Sequence, residues 1–287
     1  MRISDILKTN KVTVSCEMFP PKPGKPLENT QQVVHEIAAY KPSFMSVTYG
    51  AGGSNSKNTL SIAEEVQKSG VTALAHLTCV GQDEENLRAS INAFKASGIE
   101  NILALRGDIP EGDTAPQTFP HASDLINAIR REGADFCIGG ACYPEGHPES
   151  YNSDADIDGV RRKVESGCEF LTTQMFFDNN ILYHFLYRVA HIGIRIPVIA
   201  GIMPVTNAKQ IKRICSLSGT ALPPRFRNIV DKFGDDPASM KQAGIAYATE
   251  QIIDLIANGV RGIHLYTMNK PDVTQSILNN LSHILGR

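Results

Sequence analysis

Polar and charged side chains follow directly on apolar, strand-like segments throughout this sequence. In the segment 101–108, four apolar residues are followed without a break by Arg106, Gly107 and Asp108. A buried strand that ends in a cation and an anion is costly for stability, but it can hold a polar ligand. We therefore expect a ligand site at this strand end. A purely structural ion pair between Arg106 and Asp108 is the alternative.

Similar polar ends recur in the other apolar segments. They carry Glu17, then Thr48 and Tyr49, His76 and Thr78, Tyr143, Glu145 and His147, Gln174 and Asp178, and finally Tyr266, Thr267 and Asn269. Because side chains alternate along a strand, Glu17 shares a face with Ser15 and Phe19. Gln174 shares a face with Phe176 in the same way. We expect both of these faces to point toward the interior of the sheet.

Each of these residues also has an ordinary structural interpretation. Glu17 could be a salt-bridge partner, His76 a hydrogen-bonded core histidine, and Tyr143 and Tyr266 packing aromatics. The sequence contains no P-loop, no H-E-x-x-H motif and no spacing typical of a Ser-His-Asp triad. Its histidines and carboxylates do not form a convincing set of metal ligands, so we predict no metal site.

The segments between the strands have helical periodicity. Apolar residues recur every three to four positions in segments 29–40, 56–69, 83–97, 123–132, 156–166, 180–192, 206–217 and 239–258, which predicts helices with one buried face. Strands are predicted at 12–19, 44–50, 72–80, 101–108, 136–144, 170–177, 197–204 and 262–269. Most strands are preceded by a glycine placed where a helix ends in the left-handed conformation. Segment 219–236 is an insertion, and 271–287 is a closing helix.

Eight strands alternating with helices predict the α/β class and a closed (β/α)8 TIM barrel, formed as a single domain by residues 1–287. A doubly wound open sheet is the alternative, but no G-x-G-x-x-G follows any strand. In a barrel of this kind, the polar strand ends meet at one face, which is where such barrels place their active sites.

Composition limits the function classes further. The chain has 287 residues, 42% of them hydrophobic, and a net charge of -2, so we expect neither nucleic acid nor a membrane as partner. The first residues lack the apolar core of a signal peptide. Six cysteines without a C-x-x-C pair favour reduced thiols in a cytoplasmic protein, with a zinc site as the minor alternative.

Taken together, the strand ends resemble those of the methylenetetrahydrofolate reductase family across nearly the whole chain. The matching motifs are Ser-Cys-Glu-Met-Phe-Pro-Pro-Lys at 15–22, Ser-Val-Thr-Tyr-Gly-Ala at 46–51, His-Leu-Thr-Cys at 76–79, Leu-Arg-Gly-Asp at 105–108, Tyr-Pro-Glu-Gly-His-Pro at 143–148, Gln-Met-Phe-Phe-Asp at 174–178, Gly-Ile-Met-Pro at 201–204 and Tyr-Thr-Met-Asn at 266–269. The chain resembles the short bacterial form of the family, without the regulatory domain of eukaryotic members.

The resemblance implies an FAD-dependent enzyme that reduces 5,10-methylenetetrahydrofolate to 5-methyltetrahydrofolate with NADH or NADPH. It places the enzyme in one-carbon metabolism and methionine synthesis, and we expect a homo-oligomer. The residues that it implies for FAD binding are Thr48, His76, Arg106, Gly107, Asp108, Ala122, Tyr143, His147, Asp156, Arg162 and Lys163. The cations Arg162 and Lys163 are expected to open toward a diphosphate.

The resemblance also implies catalytic and substrate-binding roles. Glu17 would be the general acid that protonates the folate nitrogen, so its pKa should be raised by burial. Asp108 would lie near flavin and pterin and stabilise positive charge on the folate. Gln174 would hydrogen-bond the pterin and Gln210 the substrate or nicotinamide. Tyr266 and Lys270 complete the implied substrate site.

Three positions depart from the family pattern. His121 stands where a tyrosine is frequent, Ile214 where a phenylalanine can stack on substrate, and Lys270 where an arginine could make bidentate contacts. Two other functions stay open. One is a barrel that binds reduced pterins for methyl transfer without flavin. The other is a flavin subunit reduced by a partner protein in a redox complex.

Overall fold

A computed structural model describes residues 1–9, 11–21, 24–49, 56–109, 117–133 and 135–286. Within these ranges, eight parallel strands form a closed barrel in sequence order, and the last strand pairs with the first. The strands are β1 Thr13–Met18, β2 Met45–Val47, β3 Ala73–Thr78, β4 Asn101–Leu105, β5 Cys137–Cys142, β6 Phe170–Thr173, β7 Val198–Ile202 and β8 Gly262–Leu265. The predicted (β/α)8 barrel is confirmed.

Helices surround the barrel. Those in the described ranges are α1 Ile3–Leu7, α2 Leu27–Ala38, α3 Ser56–Lys68, α4 Glu84–Ala96, α5 Ala122–Arg131, α6 Ser153–Glu165, α7 Asn179–His191, α8 Ala208–Ser218, α9 Pro224–Phe233, α10 Pro237–Ala257 and α11 Pro271–Asn280. The predicted insertion 219–236 contains α9, and the closing helix ends at Asn280, earlier than predicted. None of the described helices is long and apolar enough to cross a membrane.

Glycines end many of the helices in the predicted way. The six glycines expected in the left-handed conformation all have positive φ, between 65° and 107°; they are Gly70, Gly98, Gly133, Gly167, Gly193 and Gly259. Lys41, which precedes Pro42 after α2, adopts the same conformation with φ 51°. The turns that reverse the chain from helix to strand are therefore readable in the sequence, because glycine has no side chain to oppose positive φ.

The N-terminal end of the barrel is filled by apolar side chains. These form one buried cluster of Ile3, Phe44, Leu74, Leu103, Cys137, Phe170 and Ile199. A Cβ on Gly139 would lie 2.4 Å from the Phe170 ring, so the glycine makes room for that ring. Helix α1 closes this end, where Ile3 N–H donates to Asn101 Oδ1 at 2.8 Å. We call this region the barrel floor.

A larger cluster lies between the outer face of the strands and the helices, and includes Val14, Cys16 and Met18 of β1. Phe176 belongs to this outer cluster, so the expectation that it points inward with Gln174 is wrong. The reason is that β6 ends at Thr173, and alternation holds only while the strand continues. Gly50, the predicted end of the second strand, lies outside the described residues. All six cysteines are in the thiol form, as predicted, and five of them are buried.

Candidate active site

Glu17 lies on β1 near the C-terminal end of the barrel, which we call the barrel mouth. The side chain is buried, and burial raises the pKa of its carboxyl to about 8, because water no longer stabilises the charged form. At neutral pH the group therefore holds its proton. This agrees with the expectation for a general acid and not with a salt bridge.

His76 of β3 faces this acid. Its Nε2 lies 4.0 Å from Glu17 Oε2, beyond hydrogen-bond distance. Burial, and then the neighbouring His264, lower the pKa of His76 to about 3, so the two groups meet as neutral species and not as an ion pair. In the described part of the chain, no group hydrogen-bonds this buried nitrogen. A buried polar atom without a partner is expensive, and it marks a place where a ligand can bind.

His264 of β8 completes the polar interior, and we did not predict it from the sequence. Its Nδ1 lies 2.7 Å from Ser15 Oγ and its Nε2 lies 3.3 Å from Ser46 Oγ. Because Ser15 also donates to the Ile263 carbonyl at 3.1 Å, Nδ1 is assigned as the donor and Nε2 as the acceptor. Burial lowers the pKa of His264 to about 3. Because side chains two positions apart on a strand share a face, the sequence could have placed His264 on the same inner face as Tyr266.

Tyr266 follows β8 and Gln174 follows β6, both at the mouth of the barrel. The Tyr266 hydroxyl donates to the Thr173 carbonyl at 2.6 Å, and burial, together with Glu17, raises its pKa well above the ordinary value. A Cβ on Gly201 would lie 2.7 Å from the Tyr266 ring, so this glycine admits the ring. Gln174 is partly buried, and its Oε1 accepts the Met175 N–H at 2.9 Å.

Arg106 follows β4, and its partner is Glu149 in the loop after β5. The two guanidinium nitrogens donate to the two carboxylate oxygens at 2.5 and 2.6 Å. This contact raises the pKa of Arg106 and lowers that of Glu149, so both stay charged. The alternative of a closed Arg106–Asp108 pair is therefore wrong, because a different carboxylate takes the guanidinium. Asp108 is exposed.

The backbone conformation at position 107, and the short distance to β3, require a glycine there. Its φ is +82°, and a Cβ there would lie 3.0 Å from Thr78 Cβ. Any other residue would be strained and would push on β3. The glycine thus lets the backbone between Arg106 and Asp108 pass close to the end of β3.

The loop after β5 holds Tyr143, His147 and Asp156 together. The rings of Tyr143 and His147 meet edge to face at 4.6 Å. Asp156 Oδ1 accepts the His147 N–H at 3.2 Å, and His147 Nδ1 accepts the Glu149 N–H at 3.1 Å. Burial, and then the charge of Asp108, raise the pKa of Tyr143 to about 12. Three of the predicted cofactor ligands therefore form one connected group.

The two predicted cations of α6 differ. Lys163 is partly buried, its Nζ donates to the Ala141 carbonyl at 2.6 Å, and burial lowers its pKa. Arg162 is exposed on the helix surface. Of the pair, Lys163 points toward β5 and the barrel.

The remaining predicted residues lie around the mouth. Thr48 is partly buried, and its N–H donates to the Met18 carbonyl at 3.0 Å. Ala122 is the first residue of α5, after the exposed His121. Lys270 Nζ donates to Thr206 Oγ1 at 2.6 Å, which ties the segment after β8 to the loop after β7.

Two predicted positions lie on α8. Gln210 is exposed in the first turn of this helix. Ile214 is partly buried and packs against the cluster that contains Met175, Phe177 and Ile211.

Within the described ranges, no group of three or more His, Cys, Asp or Glu residues is arranged to hold a metal ion.

Comparison with known proteins gives consistent matches over the whole chain. The family model described as "Methylenetetrahydrofolate reductase" matches residues 2–282. The 5,10-methylenetetrahydrofolate reductase of Escherichia coli (strain K12) is 34% identical over 272 residues, which cover 94% of this chain and 91% of that protein. "Methylenetetrahydrofolate reductase (NADH) 1" of Arabidopsis thaliana is also 34% identical, over 99% of this chain and 50% of the plant protein. The chain thus spans about half the length of this plant relative.

Solved structures confirm the fold at much lower identity. A protein described as an "Uncharacterized protein from Clostridium thermocellum" that "binds two copies of 5-methyl-5,6,7,8-tetrahydrofolic acid" superposes with a TM-score of 0.64 at 13% identity, covering 99% of this chain and 98% of that one. A 2,3-dimethylmalate lyase superposes with a TM-score of 0.54 at 9% identity, over 99% and 85% of the two chains. At these identities, the likeness is one of fold.

Proposed function

This chain belongs to the methylenetetrahydrofolate reductase family of oxidoreductases, and we propose that it reduces 5,10-methylenetetrahydrofolate to 5-methyltetrahydrofolate, with NAD(P)H as donor and FAD as cofactor. The reaction would take place in the cytoplasm and serve one-carbon metabolism and methionine synthesis. The observation that carries the proposal is the buried Glu17 carboxyl, protonated at neutral pH, opposite a neutral His76 at the barrel mouth.

The residues at the mouth fit a flavin nucleotide in their chemistry. The unpartnered, buried Nε2 of His76 offers a hydrogen-bonding atom for a planar heterocycle. Arg106 offers a fixed positive charge for a diphosphate, and the Lys163 side chain, whose pKa is lowered by burial, offers hydrogen-bond donors to the same group. We propose that these three residues bind FAD together with Thr48, Gly107, Asp108, Ala122, Tyr143, His147, Asp156 and Arg162. FAD, when bound, would supply the two-electron chemistry that moves a hydride from NAD(P)H to the substrate carbon.

Glu17 would supply the proton. Protonation of the folate nitrogen breaks its bond to the bridging methylene carbon, and the five-membered ring opens to an iminium at that carbon. Hydride addition then gives the methyl group, so the carbon gains two electrons that NAD(P)H loses. A neutral carboxyl in a dry environment is suited to this role, because its raised pKa keeps the proton available near neutral pH.

The other mouth residues would position the substrate. Gln174, Tyr266, Gln210 and Lys270 are proposed to contact the folate or the nicotinamide. Asp108 is proposed to stabilise the positive charge of the iminium, because an anion near the developing charge lowers the barrier. The exposed Gln210 and the Lys270–Thr206 contact both lie on the side of the mouth formed by the loops after β7 and β8.

The first test is the colour of the purified protein and its reaction with NADH without oxygen. We expect a yellow protein, or one that takes up FAD, whose visible absorbance is bleached by NADH or NADPH and restored by methylenetetrahydrofolate. A colourless preparation that takes up no FAD would contradict the proposal and favour a flavin-free pterin-binding barrel. A flavoprotein that neither nicotinamide bleaches would favour a subunit reduced by a partner protein. Gel filtration tests the predicted homo-oligomer.

A further inference from the structure

The segment after β8 holds the end of β1 by side-chain hydrogen bonds. Backbone pairing between these strands reaches Cys16 and Leu265. Beyond it, Thr267 Oγ1 donates to the Glu17 carbonyl at 2.6 Å. Asn269 then accepts the Phe19 N–H at 2.9 Å and donates its own amide to the Phe19 carbonyl at 2.8 Å. We call Thr267 and Asn269 the β8 clamp.

The two clamp residues are linked to one another. The Asn269 N–H donates to Thr267 Oγ1 at 3.2 Å, and that hydroxyl donates onward to Glu17. The clamp therefore grips the backbone at Glu17 and again two residues later. On the other edge of β1, the Thr48 N–H donates to the Met18 carbonyl at 3.0 Å. The backbone around Glu17 is thus fixed from both sides.

The clamp requires an unusual backbone. Met268 and Asn269 have φ of 51° and 54°, the left-handed conformation that residues other than glycine rarely adopt. Asparagine tolerates it better than most residues, whereas methionine does not. Two successive left-handed residues persist only where surrounding contacts hold them, and such places are concentrated at functional sites.

We infer that Asn269 is a positioning residue for the acid of the proposed reaction: its side-chain amide replaces a neighbouring strand beside Phe19 and so holds Glu17 at the barrel mouth. This rests on the proposed function, because the position of an acid matters to the chemistry that uses it. Burial is the cause of the raised pKa of Glu17, so its protonation depends on where the backbone holds the carboxyl. Loosening the clamp would let the carboxyl reach water, and its pKa would fall toward the ordinary value.

Two glycine variants separate the clamp from the strain. Asn269→Gly removes the side-chain amide but suits a left-handed backbone, so the protein should fold. Met268→Gly is the matched control, because it relieves the same kind of strain one residue earlier and keeps the clamp. In single-turnover experiments on the flavin-loaded enzyme, Asn269→Gly should slow reduction of methylenetetrahydrofolate roughly 10- to 100-fold, as expected for a misplaced reacting group. Its reduction by NADH should be nearly unchanged, and Met268→Gly should match the wild type in both steps.

The pH profile and hydrogen exchange give independent readouts. In Asn269→Gly, the folate step should lose rate at lower pH than in the wild type. Exchange measured by mass spectrometry on the purified protein should be faster in the peptide containing Phe19, where Pro20 and Pro21 contribute no amide proton. Asn269→Asp, which keeps the acceptor for the Phe19 N–H but not the donor, should fall between Asn269→Gly and the wild type.

The outcomes separate the two proposals. Faster exchange with an unchanged folate step and pH profile would show that the clamp is merely structural and overturn the inference. Unchanged exchange in Asn269→Gly would overturn it as well. A flavin-loaded wild-type enzyme that does not reduce methylenetetrahydrofolate would instead overturn the proposed function, whatever the exchange experiment shows about Phe19.

Discussion

The two ends of the barrel are built from the same strands but have opposite chemistry. At the floor, Gly139 makes room for the Phe170 ring, which is buried among apolar side chains. At the mouth, Gly201 makes room for the Tyr266 ring, whose hydroxyl donates to a backbone carbonyl. The floor is closed by α1, whereas the mouth buries an acid and two neutral imidazoles. The floor buries apolar side chains, which stabilises the fold, whereas the mouth buries titratable side chains, which is unfavourable.

The mouth is the end of the barrel where this protein tolerates a buried group that destabilises the folded state. A buried carboxyl such as Glu17 destabilises the folded state whenever it must ionise. The floor offsets this because close packing holds the strands in register below the site. Substitutions at the mouth should therefore change chemistry more than stability, and substitutions at the floor should do the reverse.

Glu17→Gln should have the largest effect on chemistry. Glutamine keeps the shape but has no acidic proton, so we expect the folate step to slow by about 10²- to 10⁴-fold. Reduction by NADH should proceed, since it needs no acid at this position. Stopped-flow absorbance separates the two steps. If both survive in the variant, Glu17 is not the acid.

Phe170→Ala should have the largest effect on stability. Removing a fully buried ring from the floor should lower the free energy of unfolding by about 3–5 kcal/mol, through lost burial and a cavity. Denaturant titration measures this, and the folate step of the folded fraction should change little. The matched control is Phe233→Ala at the end of α9, where the ring is partly exposed and the change should be within about 0.5 kcal/mol. Equal losses in the two variants would contradict the role of the floor.

Glu17→Gln should also stabilise the protein at alkaline pH. The pKa of Glu17 in the folded protein is raised from the ordinary value of 4.5 to about 8. The free energy of unfolding of the wild type therefore falls as the pH rises between these two values. The variant lacks this loss. Its advantage in free energy of unfolding should grow over that interval to a few kcal/mol, on the order of 1.4 kcal/mol for each unit of pKa shift. Denaturant titrations at pH 5 and pH 8.5 test this. A constant difference would show that Glu17 is not desolvated.

Glu149→Gln should have a smaller effect. It removes the charge that holds Arg106, and exposed pairs of this type contribute about 0.2–1 kcal/mol, so FAD retention should weaken by a few-fold. The matched control is Glu250→Gln, which breaks a bidentate pair with Arg225 on the surface between α9 and α10. Fluorescence titration with FAD compares them. Equal effects would show that Glu149 does not act through the mouth.

The spacing of apolar residues and the glycines at the helix ends were sufficient to predict the barrel. The glycines at the helix ends and the alternation in β1 both express local rules of backbone geometry, so they could be read without a structure. For the same reason Glu17 and Ser15 were correctly placed on the inner face. Phe176 was misplaced because nothing in the sequence indicates that β6 stops at Thr173.

The partners at the mouth could not be predicted, because they join residues far apart in the chain. Glu149 is 43 positions from Arg106, and the loop after β5 must fold back before they meet. Lys163 was expected to open toward a diphosphate, but its bond to the Ala141 carbonyl depends on how α6 packs on β5. The hydrogen bonds of His264 likewise depend on the closure of β8 against β1.

Infrared difference spectroscopy of the Glu17 carboxyl tests most directly whether the mouth holds a protonated acid. The difference between wild type and Glu17→Gln across a pH titration isolates the carbonyl stretch of this one group. We expect a protonated carboxyl at neutral pH that ionises with a midpoint near pH 8. A carboxylate already ionised at pH 6 would contradict the proposed acid and remove the basis for the β8 clamp.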